Sequence, residues 1–222
     1  MIDVIDNKYF YLHNGAVAYL FGLLPNHQLE HLYYGEDLGE LSKNDLEYMS
    51  LHPNKASGTV KYSKKIKNFT LADRMQEFPT YGTSDFREGA VSIENEGAYL
   101  YPDFKYDHFE ITTGKKRNLD FPTSYGNDSE NLIVSLIDTD HQLELQLSYS
   151  IFENWSAIVR KATIINHGKQ EVKLTNLQST VLDLPNDSYD FLQLSGAWTK
   201  ERHITTRPLT QGITKTIEES AA

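Results

Sequence analysis

Carboxylate pairs are the first chemistry to look for in this chain. Two acids at a set separation cleave a glycosidic bond when one protonates the leaving oxygen and the other serves as base or nucleophile. There are 31 Asp and Glu residues to draw on. Asp183, Asp187 and Asp190 gather around Pro185, and Asp85 and Glu88 flank Arg87. Spacing selects no catalytic pair among them, because turn formation and solvated faces account for most acids of this kind. A calcium loop built from Asp183, Asp187 and Asp190 lacks both the regular ligand spacing and the closing glutamate. The 8 histidines form no HExxH, so no metal site is expected. His203, beside Glu201 and Arg202, reads as an exposed strand residue. The absence of cysteine excludes disulfide scaffolds, thiolate zinc sites and cysteine nucleophiles. No GxSxG, P-loop or GxGxxG is present, which leaves triad hydrolases and nucleotide cradles without a motif.

Two segments combine aromatic rings with fixed charges as a sugar site requires. One runs Glu77-Phe78-Pro79-Thr80-Tyr81-Gly82-Thr83-Ser84-Asp85-Phe86-Arg87-Glu88, and the other Leu194-Ser195-Gly196-Ala197-Trp198-Thr199-Lys200-Glu201-Arg202-His203. Pyranose rings stack their apolar C–H faces on indole or phenol, while their hydroxyl rims pair with charged side chains. The small residues before Trp198 would let a ligand reach its face. The plainer alternative is a core tryptophan in one segment and an internal Asp85–Arg87 salt bridge in the other. Three glycosylation sequons, at Asn68, Asn127 and Asn154, are of a kind that arises by chance and acquires meaning only outside the cytoplasm.

The elements that must position these residues read as strands. Alternation of period two is clearest from Leu132 to Ile137 and from Leu143 to Ser148, across the Asp138-Thr139-Asp140 turn. Ala157–Ile165 reads as a further strand, and Glu171–Leu182 as its hairpin return through Asn166-His167-Gly168-Lys169. Earlier strands are expected at Tyr9–His13, Ala16–Leu23, Glu30–Tyr34, Ala90–Ile93 and Phe104–Thr113. Helical signals are confined to Leu41–Tyr48, with Ser42 as cap, and one turn over Leu71–Glu77. Leu51–Lys67 reads as a polar loop with Pro53, Asn54 and Gly58, ending in a basic run.

The pattern predicts an all-β fold, a large sandwich of antiparallel sheets with few short helices. Tyrosine, at 14 residues, suits half-buried pleated surfaces. A formal net charge of -10 argues against nucleic acid and anionic membrane as partners and favours a neutral one. No apolar run reaches the roughly 20 residues of a membrane helix, and the opening MIDVIDNKYF lacks a signal-peptide pattern, so a cytoplasmic location is expected.

EFPTYGTSDFRE and LSGAWTKERH resemble the amino-terminal segments of glycoside hydrolase family 36, the bacterial α-galactosidases. The order of Tyr19–Gly35 and Tyr149–Tyr189 also fits, so the resemblance covers essentially the whole chain. It implies that residues 1–220 are an amino-terminal β-supersandwich domain, truncated at its carboxy-terminal end. In the family this domain precedes a barrel that holds both catalytic aspartates of a retaining mechanism. No catalytic residue and no cofactor are then expected on this chain.

The resemblance also implies α-galactosides such as melibiose and raffinose as ligands and a homotetrameric whole enzyme. By motif position it assigns sugar contact to Trp198 and Lys67, with Asp85 and Arg87 supporting the loop. Lys67 stands where relatives often have arginine, Gly89 where proline is common and Lys200 where arginine is common. An acidic site residue of the family has its place near Glu47 or Tyr48. The alternative is a stand-alone, non-catalytic carbohydrate-binding β-sandwich module.

Overall fold

Side chains alternate across an extended strand, so the leucine series in the middle of the chain must present one apolar face. That face is the centre of the core. The structure, a computed structural model, describes residues 1–52, 60–117, 122–184, 188–210, 212, 214 and 216. Strands β1 (Ile2–Ile5), β2 (Tyr9–His13), β3 (Ala18–Leu23) and β4 (Leu29–Gly35) form one antiparallel sheet in chain order. After helix α1 (Lys43–Met49) come β5 (Val91–Asn95), β6 (Ala98–Leu100), β7 (Lys105–Lys115), β8 (Gly126–Asp138), β9 (Leu143–Phe152), β10 (Ile158–Asn166) and β11 (Lys173–Leu177). A second sheet has the order β10-β9-β8-β7 and a third β11-β5-β6. Strands β12 (Asp190–Ala197) and β13 (Lys200–Pro208) pair with each other. The chain divides into two compact units, Met1–Asp183 and Leu184–Ala222. The expected all-β sandwich of antiparallel sheets is what the structure shows.

In β9, Leu143, Leu145, Leu147, Tyr149 and Ile151 are fully buried, while Glu144, Gln146 and Ser148 between them are half-exposed. Their partners across the pair are Leu136, Val134 and Leu132, opposite Leu145, Leu147 and Tyr149. Phe10, Leu12, Tyr19 and Phe21 of the first sheet and Val91 and Ile93 of the third join the same cluster. Phe10 and Phe21 stack at 4.9 Å, and Phe21 stacks on Tyr149 at 5.0 Å. The other face of β2 and β3 is also covered. Tyr9, Tyr11, Ala18 and Leu20 pack with Leu46, the buried residue of α1. That helix starts where expected, because Ser42 and Asp45 exchange side-chain and backbone hydrogen bonds in a capping box. Gly22, opposite Tyr9, admits the ring: a Cβ there would stand 2.8 Å from it.

Two sequence expectations fail in instructive ways. Residues 171–182 do not return along β10; β11 is short and pairs with β5, bringing Leu174 opposite Ile93 and Leu177 opposite Val91. The glycine turn exists, but Asn166 Oδ1 accepts from Gly168 N and Asn166 Nδ2 donates to Gln170 O. That side-chain turn diverts the chain to the open edge of β5 instead of reversing it. Over residues 71–77 the only turn is Arg74 N to Leu71 O, at 3.0 Å, and the rest runs extended beside β4. Of the expected 51–67 loop, Pro53, Asn54 and Gly58 lie outside the described residues, and residues 60–67 are irregular.

The extended run beside β4 plants a charge in the core. His31 N donates to Met75 O and Glu77 N to Leu29 O, which fixes the register of residues 75–77. The fully buried Glu77 carboxylate accepts from Tyr19 Oη at 2.8 Å, from Tyr149 Oη at 2.7 Å, and pairs with Arg160 Nη1 at 3.1 Å. Arg160 Nη2 also donates to the Glu77 carbonyl at 2.6 Å. His31 Nδ1, 3.6 Å away, is too far for a hydrogen bond and acts electrostatically. Burial alone would raise the Glu77 pKa, but Arg160, His31 and Tyr149 together hold it below the usual glutamate range. Tyr149 is pushed well up, by burial first and then by Glu77.

A carboxyl depressed in the folded state contributes stability above its unfolded pKa of about 4.3 and loses it as pH falls through the folded value. Stability is therefore expected to drop below about pH 5, with Glu77→Gln showing a smaller acid-induced loss than the parent. Urea titrations from neutral to acid pH measure this; equal acid slopes in parent and variant would contradict it.

Candidate functional site

Residue 76 faces the opposite way from residue 77, as the pleat requires. Gln76 Nε2 therefore donates to Asp85 Oδ2, while Glu77 points into the core. Asp85 is buried, and Arg87 grips it as a fork: Nε lies 2.9 Å from Oδ1 and Nη2 lies 2.8 Å from Oδ2. Nη2 reaches on to Arg74 O at 2.7 Å, and Ser84 Oγ accepts from Leu71 N at 2.9 Å. The Asp85 hydrogen bond is the chief reason the Arg87 pKa is raised. The pair thus ties residues 71–76 to residues 82–87. Two left-handed residues, Thr83 and Ser84, make the bend between them, beside Gly82 at φ +107. Tyr81 and Phe86 remain exposed on the loop, edge to face at 5.8 Å.

The second motif forms the β12–β13 hairpin of the second unit. Trp198 and Thr199 make its turn, with Thr199 at φ +66. Trp198 is 90% exposed in this chain, together with Leu192, Leu194 and Ile204 of the same hairpin at 61–70%. Gly196 lies at a register shift between the Ser195–His203 and Ala197–Lys200 pairs. A Cβ at Gly196 would meet Lys200 O at 2.8 Å and Glu201 Cα at 2.9 Å, both backbone. Only glycine therefore lets the strands close at this register shift. Ser195 Oγ lies 3.3 Å from His203 O and from Thr205 Oγ1, and His203 is exposed on β13 as expected.

Lys67 belongs to the first unit and is exposed. Its loop is closed by the Tyr62 N to Phe69 O hydrogen bond at 3.0 Å, with Phe69 and Leu71 buried as anchors. Glu47 and Tyr48 are exposed on α1. Asp183 and Asp190 are described, whereas Asp187 lies outside the described residues. Among the described residues no cluster of three or more His, Asp or Glu is placed to hold a metal ion, and no helix is long and apolar enough to cross a membrane. Glu77 and Arg160 were not marked by alternation. Their signal was a charge where the strand pattern calls for none: Glu77 next to Phe78, and Arg160 among Ile158, Val159 and Ala162.

The chain is thus an antiparallel β-sandwich fold with a buried Asp85–Arg87 fork in its first unit and an indole at a hairpin tip in its second. The chain belongs to the glycosyl hydrolase family 36 N-terminal domain, whose profile matches residues 27–221. It is 31% identical over 212 residues to alpha-galactosidase AgaA of Geobacillus stearothermophilus, covering 94% of this chain and 28% of that protein. The crystal structure of the alpha-galactosidase AgaB from the same organism matches with a TM-score of 0.83 at 29% identity, over 96% of this chain and 29% of that one. An AgaA variant in complex with raffinose matches with a TM-score of 0.81 at 31% identity, over 92% of this chain and 28% of that one. The chain therefore spans less than a third of the length of these relatives.

The two motifs should respond differently to substitution. Asp85→Asn removes a charge-assisted fork at a buried carboxylate and should cost about 2–3 kcal/mol, whereas Trp198→Ala, at an exposed tip, should stay within about 0.5 kcal/mol of the parent. Urea unfolding of the two variants measures both. Equal effects would contradict the division between brace and presented side chain.

Proposed function

We propose that the chain serves as the amino-terminal domain of an α-galactosidase that hydrolyses terminal α-D-galactosyl units of neutral oligosaccharides such as melibiose and raffinose, with retention of configuration. The observation that carries this reading is Trp198. Trp198 is 90% exposed at a hairpin tip, as Leu192, Leu194 and Ile204 of the same hairpin are 61–70% exposed, so its place at the turn within the family match, and not its exposure, supports a ligand role. In this reading the indole stacks on the C–H face of galactose and the Lys67 ammonium donates to sugar hydroxyls. Asp85 and Arg87 brace the loop that carries Tyr81 and Phe86.

Retaining hydrolysis needs two carboxyl groups about 5–5.5 Å apart. This reading places them outside these 222 residues, so that the domain contributes binding and positioning. The same proposal has the domain support contacts in a homotetramer working in the cytoplasm. The relatives that bind raffinose and stachyose in crystals support the substrate class.

The 222-residue chain alone is expected to show no turnover of an aryl α-galactoside. In the protein extended through a catalytic barrel, Trp198→Ala should lower kcat/KM about tenfold, equivalent to about 1.4 kcal/mol of transition-state binding. Turnover by the isolated chain, or unchanged kcat/KM in that variant, would overturn the reading. Saturable galactose binding that is lost in Trp198→Ala, in a protein that has no barrel, would favour the stand-alone binding module.

A further inference from the structure

Trp155 is the other of the chain's 2 tryptophans, and neither motif described above includes it. It is 65% exposed, yet the segment that carries it is firmly held. Asn14 Nδ2 donates to both Phe152 O and Trp155 O at 2.8 Å, and Glu153 N donates to Asp128 O at 2.9 Å. Ala157 N closes the turn onto Trp155 O at 2.7 Å. Anchoring at these points means the ring's exposure is built into the fold.

Beside it lies a cleft of about 370 Å³, lined by Ser124, Tyr125, Phe152, Trp155, Ala157 and Val159. The volume falls in the range of small-molecule sites, about 300–1,000 Å³. Tyr125 is 59% exposed and is held in turn by Arg117, whose guanidinium carbon lies 5.5 Å from its ring centroid. Lys115 Nζ lies 3.1 Å from Ser124 Oγ, putting an ammonium and a hydroxyl at the rim.

The lining sets the chemistry of what fits. None of the six side chains carries a charge, in a chain whose formal net charge is -10. A cation would lack a carboxylate counter-charge among these six, and the Lys115 ammonium at the rim can donate to an oxygen acceptor such as a sugar hydroxyl. Two exposed aromatic rings, an apolar wall of the buried Phe152, the half-buried Val159 and the exposed Ala157, and hydroxyls at the edge suit a neutral ligand with a flat apolar face and a polar rim. We infer that this cleft is a saccharide-binding site, in which a pyranose ring stacks on Trp155 and Tyr125 and its hydroxyls meet Ser124 and Lys115. The inference does not depend on the α-galactosidase reading, because every residue of the cleft belongs to the first unit of this chain and no catalysis is invoked.

The chain itself provides the reporter. With Trp198→Phe in place, Trp155 is the sole indole, and its fluorescence can be followed while galactose, melibiose and raffinose are titrated. A saturable change with at least one of the three sugars is expected, weakened at least tenfold by Tyr125→Ala with an unchanged melting temperature. A flat response to all three sugars overturns the inference. So does a saturable response that Tyr125→Ala leaves intact. Self-association in sedimentation that buries Trp155, with no response to sugar, also overturns it and makes the cleft a contact between copies. Trp155→Ala, at an exposed ring, is expected to keep the fold, and loss of sugar-induced shifts at Tyr125 in its NMR spectra provides a second readout.

Discussion

The arrangement depends on one buried negative charge. Removing a carboxylate from water costs several kcal/mol, and the cost is offset only where its oxygens are fully engaged. Glu77 meets that condition by drawing hydroxyls from both main sheets, Tyr19 on β3 and Tyr149 on β9, and a guanidinium from Arg160 on β10. The requirement acts as a register pin. Slipping residues 75–77 by one position beside β4 would turn Gln76 inward and leave Arg160, Tyr19 and Tyr149 facing an amide in place of a charge. Because side chains alternate along that extended run, the same pin fixes Gln76 on the other side, against Asp85, and through Asp85 the fork of Arg87. A core interaction and a surface loop are thereby joined by two adjacent residues.

The surface features follow a common design of rigid backbone under an exposed ring. At Trp198 the rigidity comes from Gly196, which allows the two strands of the hairpin to approach within contact of a missing Cβ. At Trp155 it comes from a remote side chain, Asn14, which satisfies two carbonyls of the β9–β10 connection. In both cases contacts within the chain hold the backbone that carries the ring. The apolar core does not need either ring, since Phe10, Phe21, Tyr149 and the leucines of β8 and β9 already fill it.

Much of the sheet architecture was legible in the sequence because alternation is a local signal. The Leu132–Ile137 and Leu143–Ser148 stripes and the Ser42 cap translate directly into β8, β9 and α1. The destination of β11 was not legible: a glycine turn after β10 looks like a hairpin, and only the Asn166 hydrogen bonds and the free edge of β5 send the chain elsewhere. The Glu77 site was hidden for a different reason. Its partners lie 58, 72 and 83 residues away along the chain, at Tyr19, Tyr149 and Arg160, and no local pattern encodes such a meeting. Trp198 was legible as a motif, but its place at the hairpin turn was not. The asparagine that anchors Trp155 is 141 residues from it, so no local pattern marks that ring.

The Glu77–Arg160 pair couples residues 75–77 to both sheets. A double-mutant cycle of Glu77→Gln and Arg160→Met, followed by urea unfolding, tests it most directly. The account predicts that each single substitution costs about 3–5 kcal/mol, since each strands the other partner, and that the double variant costs at least about 1 kcal/mol less than their sum. Strict additivity, within about 0.5 kcal/mol, would contradict it.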